Sequence, residues 1–181
     1  MKSKKGYYRI VFIFPFLGFA IKFPKIHLLE AILQLFWVFF NCKWKTFCRI
    51  LSSPVESELG TKSQVFGGIM VNWQEFLFFH NTKHPFLQPT YFSFFGLINI
   101  QKMGKPCHID AGALWSQFYK LTNGGAWADP HHFKNPGNFC FDDGRLRIFD
   151  YGSKKTQGII TEYGITIFES FDPSYDWEKK K

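Results

Sequence analysis

Two side chains in segment 138–152 are of the types that bind a metal–phosphate complex. Asn138 precedes a short strand, a polar Asp-Asp-Gly turn follows at 142–144, and Asp150 comes after a second strand. Such a hairpin brings its ends together, so Asn138 and Asp150 are expected to meet at one edge of a small sheet. An amide oxygen beside a carboxylate suits Mg²⁺ carrying a nucleotide phosphate. The segment is therefore a candidate nucleotide site.

Two further charged residues would complete such a site. Lys22 follows Phe19-Ala20-Ile21, which has the composition of a strand, and its ammonium would reach phosphate oxygens. Glu75 lies within a predicted helix over 69–79 and would hold that ammonium in place. We expect both side chains to bind the nucleotide, with Asn138 and Asp150 as the metal ligands.

These residues resemble the motifs of the protein-kinase-like fold. The run Ala20-Ile21-Lys22 resembles the Val-Ala-Ile-Lys strand of that family, and Asp150-Tyr151-Gly152 resembles its Asp-Phe-Gly motif, with Asn138 as the catalytic-loop asparagine. Small bacterial and phage kinase-like proteins share two further patterns. The matching runs here are Gly68-Ile-Met-Val-Asn72-Trp-Gln-Glu75 and Leu87-Gln-Pro89-Thr-Tyr91.

The resemblance implies binding of ATP and Mg²⁺ in a cleft, with weak or absent phosphotransfer. The family's catalytic aspartate lies five residues before its asparagine, a position that is Phe133 here. If Asn135 is taken as the asparagine, that position is Pro130, beside Asp129. Asp129, His131 or His132 would then have to act as the base, and we take Asp129 and His132 as the catalytic candidates.

The rest of the kinase pattern is incomplete. No glycine-rich loop precedes Lys22, and only 29 residues, 153–181, follow Gly152. A full activation segment and peptide-binding lobe do not fit in that length, so the resemblance implies a truncated C-terminal lobe. The pattern is compatible with an atypical kinase, which would be an enzyme, and with a pseudokinase, which would not.

The elements that must position these residues alternate between strands and helices. We expect one α+β domain over 1–181, with a small antiparallel sheet and a helical insertion at about 26–66. The expected strands cover 8–14, 19–23, 90–95, 97–101, the hairpin before Asp150, and a run at 164–168. The expected helices cover 26–51, 69–79 and 109–121, and a polar linker is expected over 52–63.

Composition leaves other functions open. The net charge of +8 favours an acidic partner such as a nucleotide, although much of it lies in terminal lysines expected to be solvated tails. No basic–aromatic motif of a nucleic-acid-binding module is present. The apolar runs 10–21 and 28–40 are short for membrane spans, which favours a cytoplasmic protein. The alternatives are a non-catalytic interaction module that binds a protein through its Phe-rich surface, or a membrane-associated protein anchored by 8–40.

Overall fold

A computed structural model describes residues 2–53 and 61–175 of the chain. Over these residues the fold is α+β, as predicted, with two antiparallel sheets and six α-helices. The larger sheet consists of β1 (Lys2–Lys5), β2 (Arg9–Phe14), β3 (Phe19–Pro24), β4 (Thr90–Phe94) and β5 (Ile98–Lys102), and the smaller one of β6 (Lys105–Pro106), β7 (Phe139–Asp142) and β8 (Arg145–Ile148). The larger sheet has the order β1-β2-β3-β5-β4.

The three predicted hairpins are confirmed, and two strands, β1 and β6, were missed. Pro15 and Gly18 delimit the turn between β2 and β3, where Gly18 has a positive φ of 70° that suits glycine. The basic N-terminal run was expected to be a solvated tail; residues 3–5 are exposed, but Lys2–Lys5 form a strand and not a free tail. This run pairs with β2 as an edge strand, and lysine is a residue type that suits such an edge.

The helices are α1 (Leu28–Phe40), α2 (Trp44–Ser52), α3 (Thr61–Thr82), α4 (Ala111–Leu121), α5 (Pro130–Phe133) and α6 (Lys154–Ser170). The single helix predicted over 26–51 is two helices, because Cys42 adopts a positive φ of 51° between them. The linker predicted over 52–63 lies partly outside the described residues, and its two ends belong to α2 and α3. The C-terminal lysines lie wholly outside the described residues.

The strand predicted over 164–168 was wrong, because this run belongs to α6. Its apolar residues fit a helix as well as a strand, and Ile160, Gly164 and Ile167 follow the helical spacing of one buried face. α6 packs on α4 and the smaller sheet around an aromatic core. In that core Phe118 lies 4.9 Å from Phe139 between ring centroids.

α3 follows β3 and precedes β4 in the chain, and it packs against the larger sheet. Gly68 permits the close approach of α3 to that sheet. A Cβ atom at Gly68 would clash with the carbonyl oxygen of Tyr8 and lie 2.9 Å from the Cβ of Pro24. Glycine at this position therefore sets the depth at which α3 presents its inner face. Within the described part of the chain, no helix has the length and apolar character needed to cross a membrane.

Candidate functional site

Lys22 and Glu75 form a buried ion pair beneath the larger sheet. Lys22 lies on β3, opposite Val11 of β2 and Asn99 of β5. Its Nζ atom is 2.8 Å from Oε2 of Glu75 on α3, and the exposed fractions of the two side chains are 3% and 0%. Lys22 also donates to the carbonyl oxygen of Phe149 at 2.6 Å, which ties the pair to the segment leading into Asp150.

Arg9 joins the two carboxylates of the site. Its Nη1 atom lies 2.7 Å from Oε1 of Glu75, and its Nη2 atom forms an ion pair with Oδ1 of Asp150. We call Arg9, Lys22, Glu75 and Asp150 the ion cluster. Two cations and two carboxylates balance its charge, which is the condition under which buried ionic groups are tolerated.

The inner face of α3 carries the Gly68-x-x-x-Asn72-x-x-Glu75 pattern. These positions are spaced i, i+4 and i+7, so they lie on one side of the helix. Asn72 donates to the carbonyl oxygen of Gly96 at 3.0 Å, and its Oδ1 atom lies 3.4 Å from Nη1 of Arg9. The pattern therefore has a physical reason: glycine allows contact with the sheet, asparagine orients Arg9, and glutamate binds both cations.

The tripeptide Asp150-Tyr151-Gly152 is fixed by burial of its second and third residues. The Tyr151 hydroxyl donates to the carbonyl oxygen of Gln88 at 2.8 Å and lies 2.7 Å from Oγ1 of Thr90. Gly152 packs on α3, where an added Cβ would lie 2.6 Å from the carbonyl oxygen of Val71. Asp150 is thus held at the ion cluster by an anchored backbone, and its own side chain is 29% exposed.

Asn138 lies near this segment but binds other groups. Its carbonyl oxygen accepts a hydrogen bond from the amide of Phe149 at 3.0 Å, so the ends of the β7–β8 hairpin do meet. Its side-chain amide donates to the carbonyl oxygen of His132 at 3.1 Å. The side chain therefore braces the loop that carries His132.

Asp129 and His132 form a pair beside Asp150. Oδ1 of Asp129 lies 2.9 Å from Nδ1 of His132, and its Oδ2 accepts from Oγ1 of Thr156 at 2.5 Å. The other ring nitrogen, Nε2, lies 3.8 Å from Oδ1 of Asp150. His132 thus stands between two carboxylates. His131, its exposed neighbour, has no comparable placement.

The charges around these groups shift their pKa values. Burial lowers the pKa of Lys22 to about 8, and Glu75 offsets only part of that effect. Burial opposes the charge on His132, but Asp129 and Asp150 outweigh it and raise the pKa of the ring. Burial also opposes the charge on Asp150, yet Arg9 holds the pKa of that carboxyl below its usual value. Both shifts are towards the charged forms, the carboxylate of Asp150 and the imidazolium of His132.

The site fits Mg²⁺ poorly. Asp150 already has the guanidinium of Arg9 as its counterion, and a second cation at this carboxylate would be repelled. Over residues 2–53 and 61–175, no group of three or more His, Cys, Asp or Glu side chains is placed to hold a metal ion. We therefore derive no chemical step through a metal.

Comparisons with protein-family models, with curated proteins and with solved structures gave no match. The structure brings Lys22, Glu75 and Asp150 into one cluster, with His132 and Asp129 beside it, and places Asn138 behind His132.

Arg9 is the residue that sequence reasoning missed, although a signal was present. Pro15 and Gly18 set the turn, and the resulting register puts Val11 opposite Lys22 and Arg9 opposite Pro24. Side chains alternate along a strand, so Arg9, Val11 and Lys22 share one face of the sheet. Arg9 lies two residues before Val11, the strand partner of Lys22, so the predicted pairing register was enough to place Arg9 near Lys22.

Proposed function

We propose that this chain is a kinase-like protein that binds ATP beside Lys22 and has weak or absent phosphotransfer activity. The observation that carries the proposal is the buried Lys22–Glu75 pair, joined through Phe149 to Asp150. In protein kinases a lysine on the third strand pairs with a glutamate on the helix that follows, and an Asp-Phe-Gly aspartate lies beside the phosphates. Lys22, Glu75 and Asp150 occur in that order and in those kinds of element.

The placement of the elements supports the same proposal. Lys22 is on the third strand of the larger sheet, and α3, which carries Glu75, precedes β4. The loop between β1 and β2 contains Gly6 and leads directly into Arg9. In kinases a glycine-rich loop at the start of the sheet covers the phosphates. Here the corresponding part of the chain supplies a guanidinium instead.

Arg9 and Lys22 have the donors that phosphate oxygens require. A guanidinium has five N–H donors, and Glu75, Asn72 and Asp150 accept three of those of Arg9. The ammonium of Lys22 has three, and Glu75 and Phe149 accept two. Asp150 and His132, with side chains 29% and 20% exposed, form the side of the cluster that a nucleotide would approach. Arg9, rather than a metal ion, would then be the cation bound to Asp150 on that side of the site.

Two features support weak or absent phosphotransfer. The guanidinium of Arg9 is already bound by Glu75, Asn72 and Asp150, whereas in kinases the metal ions bridge the β- and γ-phosphate oxygens and neutralise the developing charge. Asp129 and Asp150 raise the pKa of His132 and so reduce the share of neutral rings, and only a neutral ring can accept a hydroxyl proton. Asp129 is itself engaged by His132 and Thr156. The two candidate bases are therefore poorly suited to that role.

A thermal-shift titration with ATP tests the proposal. We expect ATP to raise the melting temperature with Mg²⁺ or with EDTA, because binding to the folded state alone stabilises it. Lys22→Met should lose the ATP-dependent shift. Lys102→Gln is the matched control, since Lys102 also lies in the larger sheet and pairs with a carboxylate, Asp142, at 2.7 Å. Its ATP response should equal that of the wild type.

Two results would count against nucleotide binding. One is no ATP-dependent shift in the wild-type protein under either condition. The other is an equal shift in wild type and in Lys22→Met, provided that circular dichroism shows both proteins to be folded. A metal-dependent shift in the wild type would retain the nucleotide site but contradict the role given to Arg9.

A further inference from the structure

An apolar surface lies on α1 and α2, away from the ion cluster. We define the apolar patch as Leu29, Leu33, Phe36, Trp37, Phe40 and Trp44. Every one of these side chains is more than half exposed, and Phe40 reaches 73%. The first five follow helical spacing along α1, whereas Ala31 and Val38 on its other side are buried. A contiguous exposed patch of this kind marks an interaction surface.

Aromatic contacts give the patch a defined shape. The rings of Phe36 and Phe40 stack at 6.0 Å between centroids, and Phe39 packs edge-on against Trp44 at 5.1 Å. The contact between Phe39 and Trp44 joins α1 to α2 across the break at Cys42. The patch is therefore formed by the folded protein before any partner binds.

Basic side chains border the patch at the end where α1 meets α2. Residues 41–53 contain Lys43, Lys45 and Arg49 and no acidic residue. The ammonium of Lys43 lies 4.4 Å from the centroid of the Trp37 ring, so one cation is held directly beside the apolar face. The acidic residue of α1, Glu30, contacts Nδ1 of His27. A surface that is apolar at its centre and cationic at its edge is complementary to an anionic lipid surface.

We propose that α1 and α2 dock on the surface of an anionic membrane, with the apolar patch in the interface and Lys43, Lys45 and Arg49 at the lipid headgroups. α1 has 13 residues, whereas a span requires about 20, so the helix lies on the bilayer surface. A second copy fits less well, because lipid headgroups offer many anionic groups to Lys43, Lys45 and Arg49, whereas α1 and α2 of another copy offer only Glu30. The proposal is independent of the nucleotide site.

Vesicle flotation of the full chain tests the proposal. We expect binding to phosphatidylcholine vesicles that contain about 30 mol% phosphatidylserine, and much weaker binding to phosphatidylcholine alone. Leu33→Asp/Phe40→Asp should lower the partition coefficient by at least about tenfold, since it removes two apolar side chains from the interface. Lys45→Gln/Arg49→Gln should lower it by about fivefold for each charge removed.

Matched variants elsewhere on the surface serve as controls. Phe16→Asp changes a side chain that is 99% exposed in the turn after β2, and it should leave partition unchanged. Lys105→Gln/Lys120→Gln removes two positive charges, as Lys45→Gln/Arg49→Gln does, but from exposed sites outside α1 and α2. The substituted patch side chains are mostly exposed, so these variants should melt within a few degrees of wild type.

Three outcomes would overturn the proposal. The first is no binding of the folded wild-type protein to phosphatidylserine vesicles. The second is equal partition of wild type and Leu33→Asp/Phe40→Asp. The third is a lipid-free dimer, measured by light scattering, that this double variant abolishes, because the patch would then be occupied by a second copy.

Discussion

Replacing Glu75 by glutamine removes one charge from the ion cluster with little change in shape. Glu75 is fully buried and lies 2.7 Å from Arg9 and 2.8 Å from Lys22. After the change, two buried cations share the single carboxylate of Asp150. Breaking a buried ion pair by removing one partner costs about 3–5 kcal/mol of unfolding free energy. For a chain of this length that corresponds to a fall of about 6–20 °C in melting temperature.

Urea denaturation measures the effect, and Asp142→Asn is the matched control. Asp142 forms a similar pair with Lys102 at 2.7 Å, but the Lys102 side chain is 33% exposed. This pair is more solvated than the ion cluster, so its loss should cost nearer the roughly 1 kcal/mol of a surface pair. We expect Glu75→Gln to lower the urea midpoint far more than Asp142→Asn, with an unchanged slope. Equal losses for the two variants would refute the view that the ion cluster is buried and mutually dependent.

Two further predictions concern the histidine and the glycine motif. Because Asp129 and Asp150 raise the pKa of His132 against the effect of burial, an NMR titration should give a value above 6.5 that falls in Asp129→Asn. The raised pKa of His132 stabilises the folded protein below about pH 6.5, and this stabilisation is lost as the pH rises through the pKa of His132 in the folded state. The loss should be absent in His132→Gln. The same pH dependence of stability in His132→Gln and in wild type would contradict the raised pKa. Gly68→Ala should cost at least about 1–3 kcal/mol because Tyr8 and Pro24 leave no room for a Cβ. Gly158→Ala, exposed in α6 with open space around it, should instead gain about 0.5–1 kcal/mol, and equal effects of the two changes would argue against close packing at Gly68.

Local sequence signals were sufficient for the hairpins and for part of the site. Turn residues such as Pro15 and Gly18 specify where strands reverse, and alternation then specifies which side chains share a face. This is why Lys22 and the end of the β7–β8 hairpin could be placed from the sequence. The proximity of Glu75 depended on where α3 docks, and the glycine pattern at Gly68 was the signal for that contact.

Other features were decided by tertiary packing. Residues 164–168 are apolar enough for either a strand or a helix, and burial against α4 and the smaller sheet selects the helix. The break at Cys42 follows from a positive φ at a residue type that gives little warning of it. The link between Arg9 and Asp150 spans 141 positions in the chain, so no local pattern could indicate that this carboxylate already has a counterion.

The metal dependence of ATP binding in wild type and in Arg9→Met tests the central claim most directly. Without Arg9, Lys22 is the one remaining cation of the ion cluster beside the carboxylates of Glu75 and Asp150. The cluster then has a net charge of about −1, which favours binding of Mg²⁺. Isothermal titration should show that wild type binds ATP equally in Mg²⁺ and in EDTA, whereas Arg9→Met binds ATP only with Mg²⁺. Wild-type binding that requires Mg²⁺, or no ATP binding by the wild-type protein, would contradict the account.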